Sequence, residues 1–173
     1  THRAALGEVV REPDRAPLGD LAQLPDYAWE LLPPIAAYKR VTGGADGLVA
    51  LDSGRGCVYD CSFCTIGRFW SRRSRVVPAR VLARDVAALR DVAGARAAYL
   101  CHDLFGANRG HALALCDELA RLEPRVPWEV RARADHLDRE LLERMGAAGC
   151  YRVLIGVESA DARVRERNQK GMR

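Results

Sequence analysis

Cys57, Cys61 and Cys64 stand in the stretch Gly54-Arg55-Gly56-Cys57-Val58-Tyr59-Asp60-Cys61-Ser62-Phe63-Cys64, a C-x3-C-x2-C spacing just after an apolar run and bracketed by glycine. A loop this short can turn three sulfurs toward one point. Three thiolates satisfy three irons of a [4Fe–4S] cluster and leave the fourth iron open, whereas an electron-transfer cluster is held by four protein ligands. An open iron can bind a substrate or cofactor. Two plainer readings stand beside this one. A zinc knuckle needs four ligands, and no fourth Cys or His lies close in sequence, the next being Cys101 and His102. Buried thiols behave as small hydrophobes, but they seldom crowd into one polar octet flanked by glycine.

The 173 residues are enough for one domain with a real core. A composition of 49% hydrophobic and 29% charged residues is that of a globular chain, not a disordered one. No apolar run is long enough to span a bilayer and no signal peptide is seen, so the expected address is cytoplasmic. Six cysteines in an Ala/Arg-rich chain of this size do not make a secreted disulfide scaffold, and a reducing compartment suits an oxygen-sensitive cluster. Much of the net charge of +4 lies in Arg68, Arg72, Arg73 and Arg75, beside Phe69 and Trp70. That mixture could face nucleic acid; arginines flanking an anionic cluster and cofactor account for it more economically.

Pro13, Pro17, Pro25, Pro33 and Pro34 rule out a long regular element in residues 1–46, which read as a linker or strap. Tyr27, Trp29 and Leu31 are expected to pack that strap onto the rest. Residues 47–52 form a short apolar run, a buried strand delivering the cysteine loop at its carboxyl end. From Pro78, the positions Val81, Leu82, Val86 and Leu89 have helical spacing, ending near Gly94. Residues 97–101 read as a second strand followed by a polar loop at 102–109. Residues 110–122 read as a helix with Leu113, Cys116, Leu119 and Ala120 along one face. A third strand at 128–133, a helix capped by Asp138 over 139–145, a fourth strand at 151–158 and a helix begun by Asp161 complete the series. Strand alternating with helix predicts parallel strands with right-handed crossovers, and ligands then gather at the carboxyl ends of the strands.

With Phe63 before the third cysteine, Cys57, Cys61 and Cys64 resemble the cluster loop of the radical S-adenosylmethionine (SAM) superfamily. Further motifs follow in the order found in the branch often fused to a cobalamin-binding domain. His102-Asp103-Leu104-Phe105 stands where that branch has D-D-x-F, and residues 128–137 are similar to its W-x-x-x-x-R-x-D-x-L strand. Leu141-Leu142-Glu143-Arg144-Met145 with Ala148-Gly149-Cys150 is similar to L-L-x-x-M-x-x-A-G-C. Gly156-Val157-Glu158-Ser159 resembles G-[IV]-E-S, and Asn168-Gln169-Lys170-Gly171 resembles the M-N-K-G closing turn. Upstream, residues 21–32 resemble the L-P-x-P-D-Y-x-L-L connector between the cobalamin domain and the radical core. Independent motifs in order are far more specific than one signature.

The resemblance implies an α/β fold, a partial (β/α) barrel of the radical SAM type with parallel strands, of which residues 47–173 supply about four of six βα units. An open edge would then be completed by sequence beyond this piece or by a partner. The implied enzyme chelates the amino and carboxylate groups of SAM on the open iron. It cleaves SAM reductively to methionine and a 5′-deoxyadenosyl radical, which abstracts hydrogen from an organic substrate. With cobalamin held by a domain outside this chain, methylation of an unactivated carbon or a rearrangement is the implied outcome. The implied partners are a small-molecule or peptide substrate and an external electron donor such as flavodoxin or ferredoxin, with neither nucleic acid nor membrane among them. An isolated piece of this kind is expected to bind a cluster and turn over poorly.

Cys57, Cys61 and Cys64 are the implied cluster ligands. Phe63, or Tyr59 in the same loop, offers an aromatic or backbone surface to the adenine. Asp103 is placed to accept a hydrogen bond from the SAM amino group or to cap a helix, and His102 replaces the acidic residue usual beside it. Arg131 and Arg133, two apart on a strand, share a face; facing the barrel interior, one of them can hold the SAM carboxylate as a forked donor, and facing out, both are solvent charges. Glu158 and Ser159, at the mouth of the fourth strand, suit ribose hydroxyls or the methionine moiety, with Glu158 buried. Cys101, Cys116 and Cys150 read as core residues, Cys101 being nearest the site, and His111 and His136 read as exposed. Two rivals remain. A methylthiotransferase-like RNA modifier shares the loop spacing and the arginine-rich segment, but the connector at 21–32 argues against it. A non-catalytic metal-binding module is the other.

Overall fold

The computed structural model describes residues 2–3, 8–9, 13, 15–33, 35 and 46–171. Its centre is a sheet whose strands are β3 (Leu48–Arg55), β4 (Arg75–Val76), β5 (Ala97–Phe105), β6 (Trp128–Ala132) and β7 (Cys150–Ile155), in the spatial order β4-β3-β5-β6-β7. A two-residue ribbon of β1 (His2–Arg3) and β2 (Glu8–Val9) lies ahead of it in sequence. Strands β3, β5, β6 and β7 run parallel, and β4 alone is antiparallel, against the end of β3. The sheet does not close, as expected of a partial barrel, and β4 is an addition that a two-residue strand gives sequence periodicity no chance to reveal.

The parallel order follows from the helices between the strands. α2 (Ala79–Asp91), α3 (Arg109–Ala120) and α4 (Arg139–Ala147) each bury one stripe: Leu82, Val86 and Leu89; Leu115, Cys116 and Leu119; Leu141 and Met145. They cover a single face of the sheet, where register aligns Leu51 with Leu100, Leu100 with Val130, and Val130 with Val153. Trp128 is fully buried under α4 and donates its indole N–H to the Ala148 carbonyl at 2.9 Å. One residue along each strand the side chains turn to the other face, and there the row is polar: Tyr99 pairs with Glu129, and Glu129 with Arg152. That face is the barrel interior. Buried Glu129 accepts from the Tyr151 hydroxyl and from Arg152 at 2.7 Å. Burial works to raise its pKa, but those hydrogen bonds hold it below the usual carboxylate range.

The helix caps are as expected for Asp138, which accepts from the Leu141 amide at 2.8 Å, and for Asp161, which accepts from the Arg163 amide ahead of α5 (Ala162–Arg167). On α3 the buried stripe includes Ala112 and Leu115, with Leu113 only half-buried. β3 continues to Arg55, so the cysteine loop starts later than the apolar run suggests. β6 stops at Ala132 and β7 at Ile155, so Arg133 and Glu158 lie beyond their strands. Among the described residues ahead of β3, Trp29 is 9% exposed and stacks on Tyr27 at 4.7 Å, and the Tyr27 hydroxyl accepts from the Asp52 amide at 3.2 Å. Leu31, expected to pack, is 79% exposed on its short 3-10 turn.

β5 also runs on to Phe105 where a polar loop is expected from residue 102, and this changes His102 most. It is 7% exposed, its ring lies where a Cβ on Gly54 would come within 2.5 Å of it, and neither ring nitrogen has a hydrogen-bond partner among the described residues. Burial first, and His111 second, pull its pKa down to about 4, so the ring is neutral in the folded chain. The unfolded chain protonates this histidine near its ordinary value of 6.5. Stability from a neutral His102 is therefore whole above pH 6.5 and lost as pH falls toward 4, a difference of about 3 kcal/mol between those limits. The slope of urea stability against pH in that window is expected to flatten largely in His102→Leu; an unaltered slope would remove His102 as its cause.

Candidate cluster and cofactor site

The cysteine loop leaves β3 through Gly56, which has φ +92° and donates its amide to Asp103 Oδ2 at 2.7 Å. A side chain there would place its Cβ 1.9 Å from the Arg73 carbonyl oxygen. Asp103 thus anchors the start of the loop from the end of β5. It caps neither helix nor open space, and one carboxylate oxygen already has an amide partner.

Cys57 and Cys64 are half-buried, Cys61 is buried, and all three are free thiols. Burial pushes the Cys57 thiol up; the backbone at Tyr59 lowers it, Cys61 and Cys64 raise it further, and Arg133 lowers it. Cys61, Cys64 and Arg133 therefore all lie close enough to act on the Cys57 thiol. Among the described residues no group of three or more His, Cys, Asp or Glu is arranged to hold a single metal ion as it stands. A single zinc needs all its ligands around one centre. A [4Fe–4S] cluster with an open iron takes three thiolates, the number this loop offers as free thiols, one fewer than zinc requires.

The middle of the loop is occupied by contacts within the chain. The Tyr59 hydroxyl is 2.7 Å from His136 Nε2, and the Arg133 guanidinium lies over the Tyr59 ring at 3.9 Å. Tyr59 thus buttresses the loop through its ring and hydroxyl. His136, expected to be exposed, is half-buried for this reason, and His111 is half-buried with Nε2 2.7 Å from the Val77 carbonyl. Phe63 is 52% exposed with the Lys170 ammonium 5.9 Å from its ring, and it remains available. Arg68 and Arg72 reach back to Asp60 inside the loop, and Arg75 lies 5.0 Å over Trp70.

Two cavities adjoin at the carboxyl ends of the strands. One of about 730 Å³ is lined by Asp52, Tyr99, Cys101, Asp103 and Arg131, with Ile66, Phe69 and Trp70 from around α1 (Ile66–Phe69). The other, of about 390 Å³, is lined by Arg133, Gly156, Glu158 and Lys170, and shares Asp103 and Arg131 with the first. Cys101 faces the larger cavity, half-buried; Cys150 is half-buried and Cys116 buried.

The two arginines part company. Arg133 is 7% exposed and is used up: its guanidinium makes a two-point pair with Asp135 at 2.9 and 2.8 Å and donates to the Lys170 carbonyl at 2.7 Å. Arg131 lies 5.9 Å over Tyr99, in the wall common to both cavities, and its fork makes no hydrogen bond or ion pair to a described residue. Glu158 is exposed where a buried carboxylate is expected; it has φ +65° and accepts from Lys170 Nζ at 3.3 Å. Ser159 does not line either cavity; its hydroxyl accepts from the Asp161 amide and its carbonyl from Arg165, so it shapes the turn into α5. Lys170 is the residue that sequence reasoning passed over. It is 8% exposed and stands between Glu158 and Phe63, and its only sequence signal is its place in the Asn168-Gln169-Lys170-Gly171 turn.

A parallel open sheet with a three-cysteine loop at its carboxyl end is the architecture of a radical SAM core, and the chain belongs to that superfamily: the Radical SAM superfamily profile matches residues 51–172. Its relatives are longer. An uncharacterised methyltransferase of Pyrococcus horikoshii is 26% identical over 169 residues, covering 96% of this chain and 35% of the relative. In structure, the radical SAM methyltransferase TsrM from Kitasatospora setae, solved with tryptophan substrate and a SAM analogue, superposes with a TM-score of 0.64 at 20% identity, over 74% of this chain and 27% of that one. The cobalamin-dependent SAM radical enzyme OxsB, solved with aqua-cobalamin and SAM, gives 0.57 at 23% identity over 71% and 20%. The chain thus spans about a third or less of the length of these proteins. No helix among the described residues is long and apolar enough to cross a membrane.

Proposed function

We propose that this chain is part of a radical SAM core, with residues 47–173 as its first βα units and residues 15–33 as a strap over it; the rest of the strap expected over residues 1–46 lies largely outside the described residues. The observation that carries the reading is the three-cysteine loop, fastened at the carboxyl end of a parallel sheet by Asp103, which together with Arg131 also lines a cavity of about 730 Å³. Cys57, Cys61 and Cys64 would hold a [4Fe–4S] cluster. Bound there, the cluster supplies the electron that cleaves SAM reductively to methionine and a 5′-deoxyadenosyl radical, which takes a hydrogen atom from an organic substrate. Arg131, the unengaged fork, would orient the SAM carboxylate. Asp103 keeps one oxygen for the amino group while the other holds Gly56. Phe63 would cover the adenine, and Glu158 the ribose. In the whole protein, with a cobalamin-binding domain, the product would be a methylated carbon, as the methyltransferase names of its relatives favour. The substrate would be a small molecule or peptide, the electron donor a flavodoxin or ferredoxin, and the setting a reducing cytoplasm.

Anaerobic reconstitution tests this. About four irons per chain, with a spectrum that changes when SAM is added, is the expected result. One zinc per chain and no response to SAM would replace the enzyme with a metal-binding module.

A further inference from the structure

The turn at residues 168–170 leaves α5 and folds back over the cysteine loop. A helix end leaves its last carbonyls without partners inside the helix, and here three successive carbonyls are turned to one purpose. The Asn168 carbonyl accepts the Ser62 amide at 3.1 Å. The Gln169 carbonyl, on a residue with φ +54°, lies 3.7 Å from the Cys61 sulfur as acceptor of its S–H. The Lys170 carbonyl accepts from Arg133, whose guanidinium covers the Tyr59 ring. The Asn168 side chain adds a fourth contact, its Oδ1 accepting from the Ser62 hydroxyl at 2.8 Å while its Nδ2 donates to the Val164 carbonyl at 2.9 Å.

Only an amide serves both of those partners. An aspartate at this position has no donor for the Val164 carbonyl, and an alanine reaches neither. Asn168 is thereby oriented by α5 and in turn orients Ser62, between two of the cysteines. Asp103 holds the opposite end of the loop at Gly56.

We infer that the 168–170 turn is a cradle that sets the order of the cysteine loop before any cluster is bound, with Asn168 as its positioning residue. The inference takes from the proposed function only the purpose of the loop; the cradle exists in the metal-free chain and is tested there. In the metal-free full chain under anaerobic conditions, alkylation by iodoacetamide is followed at each cysteine by mass spectrometry, and hydrogen exchange at the Ser62 amide. Asn168→Ala should speed labelling of Cys61 by about tenfold through more frequent local opening, and expose the Ser62 amide, while Cys116, on the buried face of α3, keeps its rate. Asn168→Asp keeps an acceptor for the Ser62 hydroxyl but loses the donor to the Val164 carbonyl, and should give a smaller acceleration than Asn168→Ala. Ser62→Ala removes only the hydroxyl contact and should give a smaller acceleration at Cys61, with nothing added when combined with Asn168→Ala.

Unchanged Cys61 labelling in Asn168→Ala, or an equal acceleration at Cys116, overturns the cradle. Should Asn168→Ala fail to fold, Ser62→Ala decides: no acceleration at Cys61 overturns it. Failure of iron reconstitution in the unsubstituted chain, with Cys61 labelling still accelerated by Asn168→Ala, would discard the cluster and keep the cradle.

Discussion

Alanine placed singly at Cys57, Cys61 or Cys64 is expected to lower bound iron after anaerobic reconstitution from about four per chain to well under one, and to take SAM cleavage below detection. In the proposed site each thiolate would hold its own iron, so no pair of the remaining cysteines could replace the third. The fold should survive. Cys57 and Cys64 are half-buried and Cys61, though 8% exposed, is a small side chain in a surface loop, so the loss of stability from truncation is about 1 kcal/mol. Alanine at Cys101, Cys116 or Cys150 should keep the iron. Cys101 is the informative control because it faces the larger cavity. Iron lost from Cys101→Ala as fully as from Cys61→Ala would break the assignment of ligands to the loop alone.

Gly56→Ala is expected to destabilise the chain by about 3–5 kcal/mol, measured by urea unfolding. Two causes add. The backbone has φ +92°, and the new Cβ would lie 1.9 Å from the Arg73 carbonyl oxygen, a backbone atom that cannot swing aside. Relief requires the loop to move, which breaks the amide contact to Asp103. Gly94→Ala separates the causes, for Gly94 has φ +71° with nothing within 4 Å of its Cβ position; it should cost only about 1 kcal/mol. Equal losses in the two variants would show that the loop yields freely at Arg73 and that the close approach does not constrain it.

The regular elements were legible because each is encoded locally. The 3.6-residue rhythm of Leu82, Val86 and Leu89 places α2, and Asp138 caps α4 by bonding an amide three residues on. Strand ends were less legible. His102 is polar, so the apolar rhythm of β5 breaks after Cys101, yet the strand pairs through to Phe105 and buries that histidine. β4 has two residues and no periodicity to detect. Hydropathy reports which way a side chain prefers to point, and a strand laid under helices can override the preference of one residue.

The candidate site divides in the same way. The spacing of Cys57, Cys61 and Cys64, the order of the motifs that follow them, and the parallel βα architecture were determined by the sequence alone, because each rests on neighbours a few residues apart. Which polar group meets which was decided only by the tertiary structure. Asp103 reaches an amide 47 residues away, Asn168 a hydroxyl 106 residues away, and Arg133 is engaged by Asp135 and the Lys170 carbonyl while Arg131 makes no hydrogen bond to a described residue. A charged or amide side chain can satisfy any complementary partner within a few ångströms, so its role is set by what the sheet register and the turns bring beside it.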